Sequence, residues 1–97
     1  MIIDGKTYEL KYGIRARVLF ERIADKPFSL SGTTDWVIFI YAMLLAGDSS
    51  FPLTLDEFMD KLDEDPKYLS ESIKWTTDRM RIEAQLMEPG DGKKKKQ

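Results

Sequence analysis

Carboxylates are the most concentrated reactive side chains in this sequence. A cluster of this kind could bind a divalent cation or supply an acid–base pair. A calcium-binding loop requires acids at alternate positions, a central glycine and a closing glutamate, and the cluster lacks this pattern. Helix starts and the solvated faces of short helices also collect acids, so we interpret the cluster as structural. Its members are Asp56, Glu57, Asp60, Asp63, Glu64 and Asp65.

Few residues in this sequence are suited to other kinds of catalysis. The chain contains no cysteine and no histidine. This excludes disulfides, thiolate metal sites and cysteine nucleophiles, and it removes the commonest general base. The remaining hydroxyls, lysines and carboxylates form no recognisable catalytic arrangement. We therefore expect a protein that is not an enzyme and that uses no cofactor, metal or small-molecule substrate.

Basic residues cluster on one side of the first predicted helix, at Arg15, Arg17, Arg22 and Lys26. Such a face could contact nucleic acid, but binding to the phosphate backbone normally requires an overall basic excess. The chain has a formal net charge of −2 and a pI of about 5.1. We therefore favour an ordinary solvated face, and we interpret the lysine run 93–96 in the same way, as a solubilising tail.

Length and hydropathy predict one small domain. The 97 residues are 42% apolar, which suits a folded globule. The longest apolar run, 36–46, is shorter than the roughly 18 to 20 residues that span a bilayer. The N-terminus lacks the features of a signal peptide. We expect a single α+β domain at 1–88, a disordered Lys-rich tail at 89–97, a cytoplasmic location and no membrane partner.

The elements that position these side chains begin with a β-hairpin. Asp4 and Gly5 favour a type I′ turn, because that turn requires a positive φ at both positions. Strands are predicted at 1–3 and 6–12, with the residues that flank the turn facing each other. Two strands need a helix packed on them, and a third strand from a second subunit is left open. The inward face is expected to consist of Met1, Ile3, Tyr8, Leu10 and Tyr12.

The first predicted helix runs from Ile14 to Asp25 and stops before a proline, since the residue before proline avoids the α region. Its apolar residues recur at helical spacing. The stripe expected to face the core consists of Ile14, Val18, Leu19 and Ile23, with Phe20 at its margin.

The second predicted helix runs from Thr34 to Ala46. It is apolar nearly all round, so it should be the buried centre of the fold. Thr33 or Thr34 is expected to cap its start, and Asp35 suits the positive end of its dipole. Gly47 is the expected stop.

A short third helix is predicted from a capping box, in which Thr54 caps the helix and Glu57 reaches back. An acidic segment and a proline then separate it from the fourth helix. Its inward face is expected to consist of Leu55, Phe58, Met59 and Leu62.

The fourth predicted helix, 66–88, has Pro66 at its first position and stops at Pro89-Gly90. It would span roughly 33 Å, which is longer than a small core can cover. The apolar side chains of its second half are therefore candidates for a partner-binding surface. Core packing and a contact between copies of the chain are the alternatives. The candidates are Trp75, Met80, Ile82, Leu86 and Met87.

Three ordered segments carry a resemblance to a known family. They are IDGKTYELKYGIRA at 3–16, AMLLAG at 42–47 and TLDEFMDKLD at 54–63. Together they resemble the small tail assembly chaperones of long-tailed bacteriophages and prophages, in which a G-K-x-Y-x-L hairpin leads into a helix. The resemblance covers about residues 2–64. The Arg-rich first helix departs from it, because that helix is often acid-rich in the family.

The resemblance implies a non-enzymatic role in tail assembly. Such chaperones bind and solubilise the tape measure protein, recruit tail tube subunits in the host bacterial cytoplasm, and are absent from the mature virion. Many are also made in a longer form by programmed ribosomal frameshifting, and the codons of 93–96 could form the slippage site. Two alternatives remain open: a small regulatory or nucleic-acid-associated protein of a mobile element, and a structural virion subunit.

Overall fold

The fold consists of an N-terminal β-hairpin followed by four helices, as the α+β prediction requires. The computed structural model describes residues 1–87. The tail at 89–97 and the last residue of the expected domain lie outside that range. The elements are β1 (Ile2–Ile3), β2 (Lys6–Thr7), α1 (Ile14–Ala24), α2 (Thr33–Gly47), α3 (Leu55–Glu64) and α4 (Lys67–Met87).

The hairpin turn has the predicted geometry. Asp4 and Gly5 both adopt a positive φ, of 52° and 79°, as a type I′ turn requires. The strands are antiparallel and Ile3 faces Lys6. Ile2 faces Thr7, and the Met1–Tyr8 pair beyond them is also formed, because the backbone N–H of Tyr8 donates to the carbonyl of Met1 at 2.7 Å.

The second strand ends at Thr7 rather than at Tyr12, so its predicted length is wrong. The first strand supplies too few residues to pair with the rest of the segment. Residues 8–12, which we call the arm, therefore run without a strand partner beyond Tyr8. The backbone N–H of Lys11 donates instead to the carbonyl of Met43 in α2, at 3.2 Å.

The predicted inward face of the hairpin and arm is confirmed. Ile3 and Tyr8 are buried in the core, while Met1, Leu10 and Tyr12 pack against it as half-buried residues. The Tyr8 ring meets the Phe51 ring edge-on, with 4.9 Å between centroids. This contact fixes the start of the arm against the loop between α2 and α3.

The inward face predicted for α1 is wrong at Ile14 and Val18, whereas Leu19 and Ile23 pack against the core as half-buried residues, as predicted. Ala16 and Phe20 are buried, whereas Ile14 is 71% exposed and Val18 is 39% exposed. The expected stripe is therefore rotated about the helix axis. The large Phe20 ring sets the rotation, because it packs edge-on against two aromatic rings from elsewhere in the chain. These are Phe28, with 5.3 Å between centroids, and Phe39, with 6.3 Å.

Helix α2 is the buried centre of the fold, as predicted, and it ends at Gly47. Its N-cap is Gly32, which has no capping side chain, so the prediction that Thr33 or Thr34 caps it is wrong. The start of α2 is tied instead by Asp35. The carboxylate of this residue accepts the backbone N–H and the hydroxyl of Ser31, at 3.0 and 2.9 Å.

Helix α3 begins with the predicted capping box. The backbone N–H of Glu57 donates to the Thr54 hydroxyl at 3.1 Å, and that of Thr54 donates to the Glu57 carboxylate at 2.8 Å. Phe58 and Leu62 face the core as predicted. Met59 is 39% exposed, so its assignment to the inward face is wrong.

Helix α4 packs against α2 through Thr76, which is fully buried and whose hydroxyl lies 4.0 Å from the Met43 sulfur. The Thr76 hydroxyl donates to the Ser72 carbonyl at 2.7 Å, and this hydrogen bond within the helix satisfies the buried hydroxyl. At 21 residues, α4 is about 31 Å long. Within 1–87, no helix is long and apolar enough to cross a membrane.

Candidate partner-binding groove

A groove runs between the hairpin and arm on one side and α4 on the other. Its wider part has a volume of about 890 Å³ and its narrower part about 420 Å³. Both parts are lined by Leu10, Trp75 and Arg79, so they form one continuous groove. We call it the arm–α4 groove. From α4 it is lined by Tyr68, Glu71, Ser72, Trp75, Arg79, Ile82, Glu83 and Leu86.

The middle of the groove is formed by an aromatic ring and a cation. Trp75 is half-buried, and the guanidinium carbon of Arg79 lies 5.1 Å from the centroid of its ring. This is a cation–π contact, which holds the charge over the indole face. Arg79 has no ion-pair partner among residues 1–87. The groove therefore offers a largely apolar surface with a guanidinium at its centre that has no ion-pair partner among these residues. The other charged residues that line it are Glu9, Lys11, Glu71 and Glu83.

The narrower part of the groove extends along the end of α4, where the helix outruns the core. Ile82 is 47% exposed and Leu86 is 80% exposed. Exposed apolar residues are common singly, but here two lie one turn apart and line the same groove. The sequence prediction that the second half of this helix lies partly outside the core is confirmed for these two residues.

Three polar side chains fix the wall of the groove at this end. The Glu83 carboxylate accepts the Tyr12 hydroxyl at 2.7 Å and the Arg17 Nη2 at 2.8 Å. Arg17 also donates to the Tyr12 hydroxyl oxygen. We call these three residues the α4 latch. It joins the arm, α1 and α4 at the narrower part of the groove, which Tyr12 and Glu83 line.

The latch shifts the pKa of each of its members. The hydrogen bonds from Tyr12 and then Arg17 lower the pKa of the Glu83 carboxyl. Burial is the main reason that the pKa of Tyr12 is raised, and the nearby Glu83 adds to it. Burial acts against the charge of Arg17, yet its hydrogen bonds to Tyr12 and Glu83 leave its pKa raised. The cluster is thus a charged pair at neutral pH, with a neutral phenol between the partners.

The structure brings three of the five predicted binding residues to the groove, namely Trp75, Ile82 and Leu86. Met80 is half-buried and packs against the core, so it does not line the groove. The side chain of Met87 lies outside the described part of the chain. Arg79 and Leu10 also line the groove, although they are not among the five predicted residues. Arg79 follows Trp75 by four positions, a helical spacing that could have placed both on one face.

The acidic and basic clusters noted in the sequence are explained in part by contacts within the fold. Among the described residues, no group of three or more acidic side chains is placed to hold a metal ion. On the basic side of α1, Arg17 is drawn into the latch and Lys26 pairs with Asp35 at 2.7 Å. Arg15 and Arg22 are exposed. Two of the four basic residues therefore have carboxylate partners within the fold.

Comparison with known proteins adds no relative to this picture. No family model matches the chain, and neither a curated protein nor a solved structure matches it. The functional inference therefore depends on the groove and on the ordered sequence segments.

Proposed function

We propose that this chain is a tail assembly chaperone of a long-tailed bacteriophage or prophage. In this role it binds the tape measure protein, keeps it soluble and recruits tail tube subunits in the host cytoplasm. It acts without catalysis and without a cofactor, and it leaves before the virion is complete. The order of segments over residues 2–64 supports the family, and the arm–α4 groove supports a binding role.

The observation that carries the proposal is the open apolar groove whose floor is Trp75 and whose end exposes Ile82 and Leu86. Such a surface suits transient masking of an apolar helix. Covering about 400 Å² of apolar area is worth about 10 kcal/mol at ~25 cal/mol per Å². Association costs roughly 4 to 15 kcal/mol in lost freedom. The balance is a weak contact, which a later assembly partner can replace.

The main alternative, a nucleic-acid-associated protein of a mobile element, depends on the basic side of the first helix. The pairing of Arg17 and Lys26 leaves that side with less uncompensated charge than its sequence suggests. Salt separates the two functions, because binding to phosphates weakens steeply as salt rises whereas apolar binding does not. The second alternative, a structural virion subunit, requires the protein to be present in purified particles.

The proposed function is tested by co-expression with the tape measure protein encoded in the same genome. We expect the soluble fraction of that long protein to rise several-fold. Leu86→Asp should abolish the gain, because it places a charge in the groove. Ile14→Asp is the matched control, since it alters an equally exposed apolar residue on α1. No gain in solubility with the wild-type chain would overturn the proposal.

The gene's own surroundings provide a second test. The lysine run 93–96 lies outside the described residues, but its codons decide whether a slippage site is present. An adenine-rich run that overlaps a shifted reading frame, followed by a very long helix-rich frame, would support the family. A run of AAG codons with no overlapping frame would contradict the slippage hypothesis.

A further inference from the structure

Six of the eight α4 residues that line the groove follow a heptad spacing, and the other two, Glu71 and Glu83, lie directly beside them in sequence. Tyr68, Trp75 and Ile82 are seven positions apart, and a second set lies four positions after each of them. This alternation of four and three is the pattern of the a and d positions in a coiled coil. We call the six residues the α4 seam: Tyr68, Ser72, Trp75, Arg79, Ile82 and Leu86, all of which line the groove.

A seam of this kind normally packs against a second helix. In the described part of the chain, the other wall of the groove comes from the hairpin and the arm, and no other helix lines it. Helix α4 meets α2 through a different face, which contains Thr76 and its contact with Met43. Apart from Ser72, which the chain itself buries, the seam is therefore a helix-packing surface without a helix on it.

The charge of Arg79 limits the kind of helix that could bind in the groove. It occupies the layer between Trp75 and Ile82, the two large apolar residues in the middle of the seam. A charge covered by a partner must be paired, because an unpaired buried charge is costly. None of residues 1–87 supplies that pair, so the incoming helix must do so. A carboxylate is the side chain that matches a guanidinium.

We propose that the arm–α4 groove receives an amphipathic partner helix with apolar residues at heptad spacing and one carboxylate opposite Arg79. The seam runs over 68–86, so the partner segment is about three heptads, or roughly 28 Å, long. The inference rests on the proposed chaperone function, because it describes the kind of segment that the chaperone would mask.

The test uses two synthetic helical peptides of three heptads, with leucine at every core position except the central one. One peptide has glutamate there and the other has lysine. We expect the wild-type protein to bind the glutamate peptide about tenfold or more tightly than the lysine peptide. Arg79→Glu should reverse this preference. The change is at an exposed position, so circular dichroism should show an intact fold.

Arg81→Glu is the matched control. It makes the same charge change two positions away, which is about 200° around the helix. Its guanidinium pairs with Asp78 at 3.1 Å, outside the groove. We expect it to leave the preference between the peptides unchanged. If Arg79→Glu and Arg81→Glu alter binding equally, general electrostatics explain the result and the proposal is wrong.

The remaining outcomes are separable from the proposed function. Absence of peptide binding, with solubilisation of the tape measure protein intact, overturns this inference and leaves the chaperone function standing. Preferential binding of the glutamate peptide without solubilisation of the tape measure protein supports this inference and overturns the chaperone function. A second copy of the chain is the competing occupant. Sedimentation showing a dimer that Leu86→Asp dissociates would assign the groove to self-association and overturn the proposal.

Discussion

Arg17 of α1 and Glu83 of α4 form an ion pair at 2.8 Å, although 66 positions separate them in sequence. The pair, together with Tyr12, holds the outer half of α4 against the arm. Beyond it lies the most exposed end of the groove. The latch is therefore a tertiary contact that restrains this half of the helix in addition to the packing of Met80 against the core.

Removing the latch should loosen the end of α4 without unfolding the domain. We expect Glu83→Gln to raise amide hydrogen exchange in 79–87 by roughly two- to fivefold, the scale of a partly exposed ion pair. Asp78→Asn is the control, because it breaks only exposed pairs with Lys74 and Arg81. Equal exchange in the two variants would show that the latch does not restrain the helix.

Gly47 should be intolerant of any side chain. A Cβ at this position would lie 2.8 Å from the backbone oxygen of Glu9. Backbone on both sides leaves little room to relax, so we expect Gly47→Ala to lower the free energy of unfolding by about 1 to 3 kcal/mol.

Gly32→Ser provides the contrast in the same measurement by urea unfolding. A Cβ at Gly32 meets no atom within 4 Å, and serine is a better N-cap than glycine by a few tenths of a kcal/mol. The free energy of unfolding should therefore stay equal or rise slightly. A similar loss of stability in both variants would indicate that a substitution at either end of α2 is destabilising in itself, and that the contact between Gly47 and the arm is not the cause.

Asp35 should make stability depend on pH in the acid range. Its ion pair with Lys26, and then its hydrogen bonds from Ser31, lower its pKa from 3.8 to about 2. Because the folded pKa lies below the unfolded one, this contribution is complete above about pH 4 and disappears as pH falls to about 2. Asp35→Asn should thus be less stable than wild type at pH 7, and the difference should shrink between pH 4 and pH 2 in urea titrations.

A pH-independent difference between wild type and Asp35→Asn would contradict this explanation. Lys26→Met gives an intermediate case, because it removes the largest cause of the shift and retains the hydrogen bonds from Ser31. We expect its stability to vary less with pH than that of wild type.

The rotation of α1 leads to a simple comparison of two truncations. Phe20→Ala should lower the free energy of unfolding by roughly 3 to 5 kcal/mol, because the ring is fully buried and its removal leaves a cavity. Ile14→Ala should change it by less than about 0.5 kcal/mol, because that side chain is mostly exposed. Comparable losses of unfolding free energy in the two variants would support the inward face of α1 that the sequence predicted.

The sequence predicted local structure well, and it predicted the buried faces of the hairpin and of most of α3 but only part of the buried face of α1. The turn at Asp4-Gly5 and the capping box at Thr54 depend on residues within a few positions of each other, so both could be predicted from the sequence. The four helices also appear where their apolar spacing placed them. The inward face of α1 depended on Phe28 and Phe39, whose positions in space no spacing rule supplies.

The groove could likewise be predicted from the sequence only in part. Trp75, Ile82 and Leu86 were identified because a helix longer than the core must leave apolar residues uncovered. The arm as the opposite wall was not identified, since its second strand was expected to continue to Tyr12 as part of a sheet. The latch joins residues far apart in sequence, and the periodicity of either segment alone contains no sign of it.

The two walls of the groove come from opposite ends of the described chain. The hairpin and arm are complete after the first dozen residues, whereas α4 is the last of the described elements. Domains generally fold as units, and the groove needs both of its walls. A nascent chain that still lacks α4 therefore has no groove with which to capture a neighbour, and binding competence arises only after α4 has been synthesised.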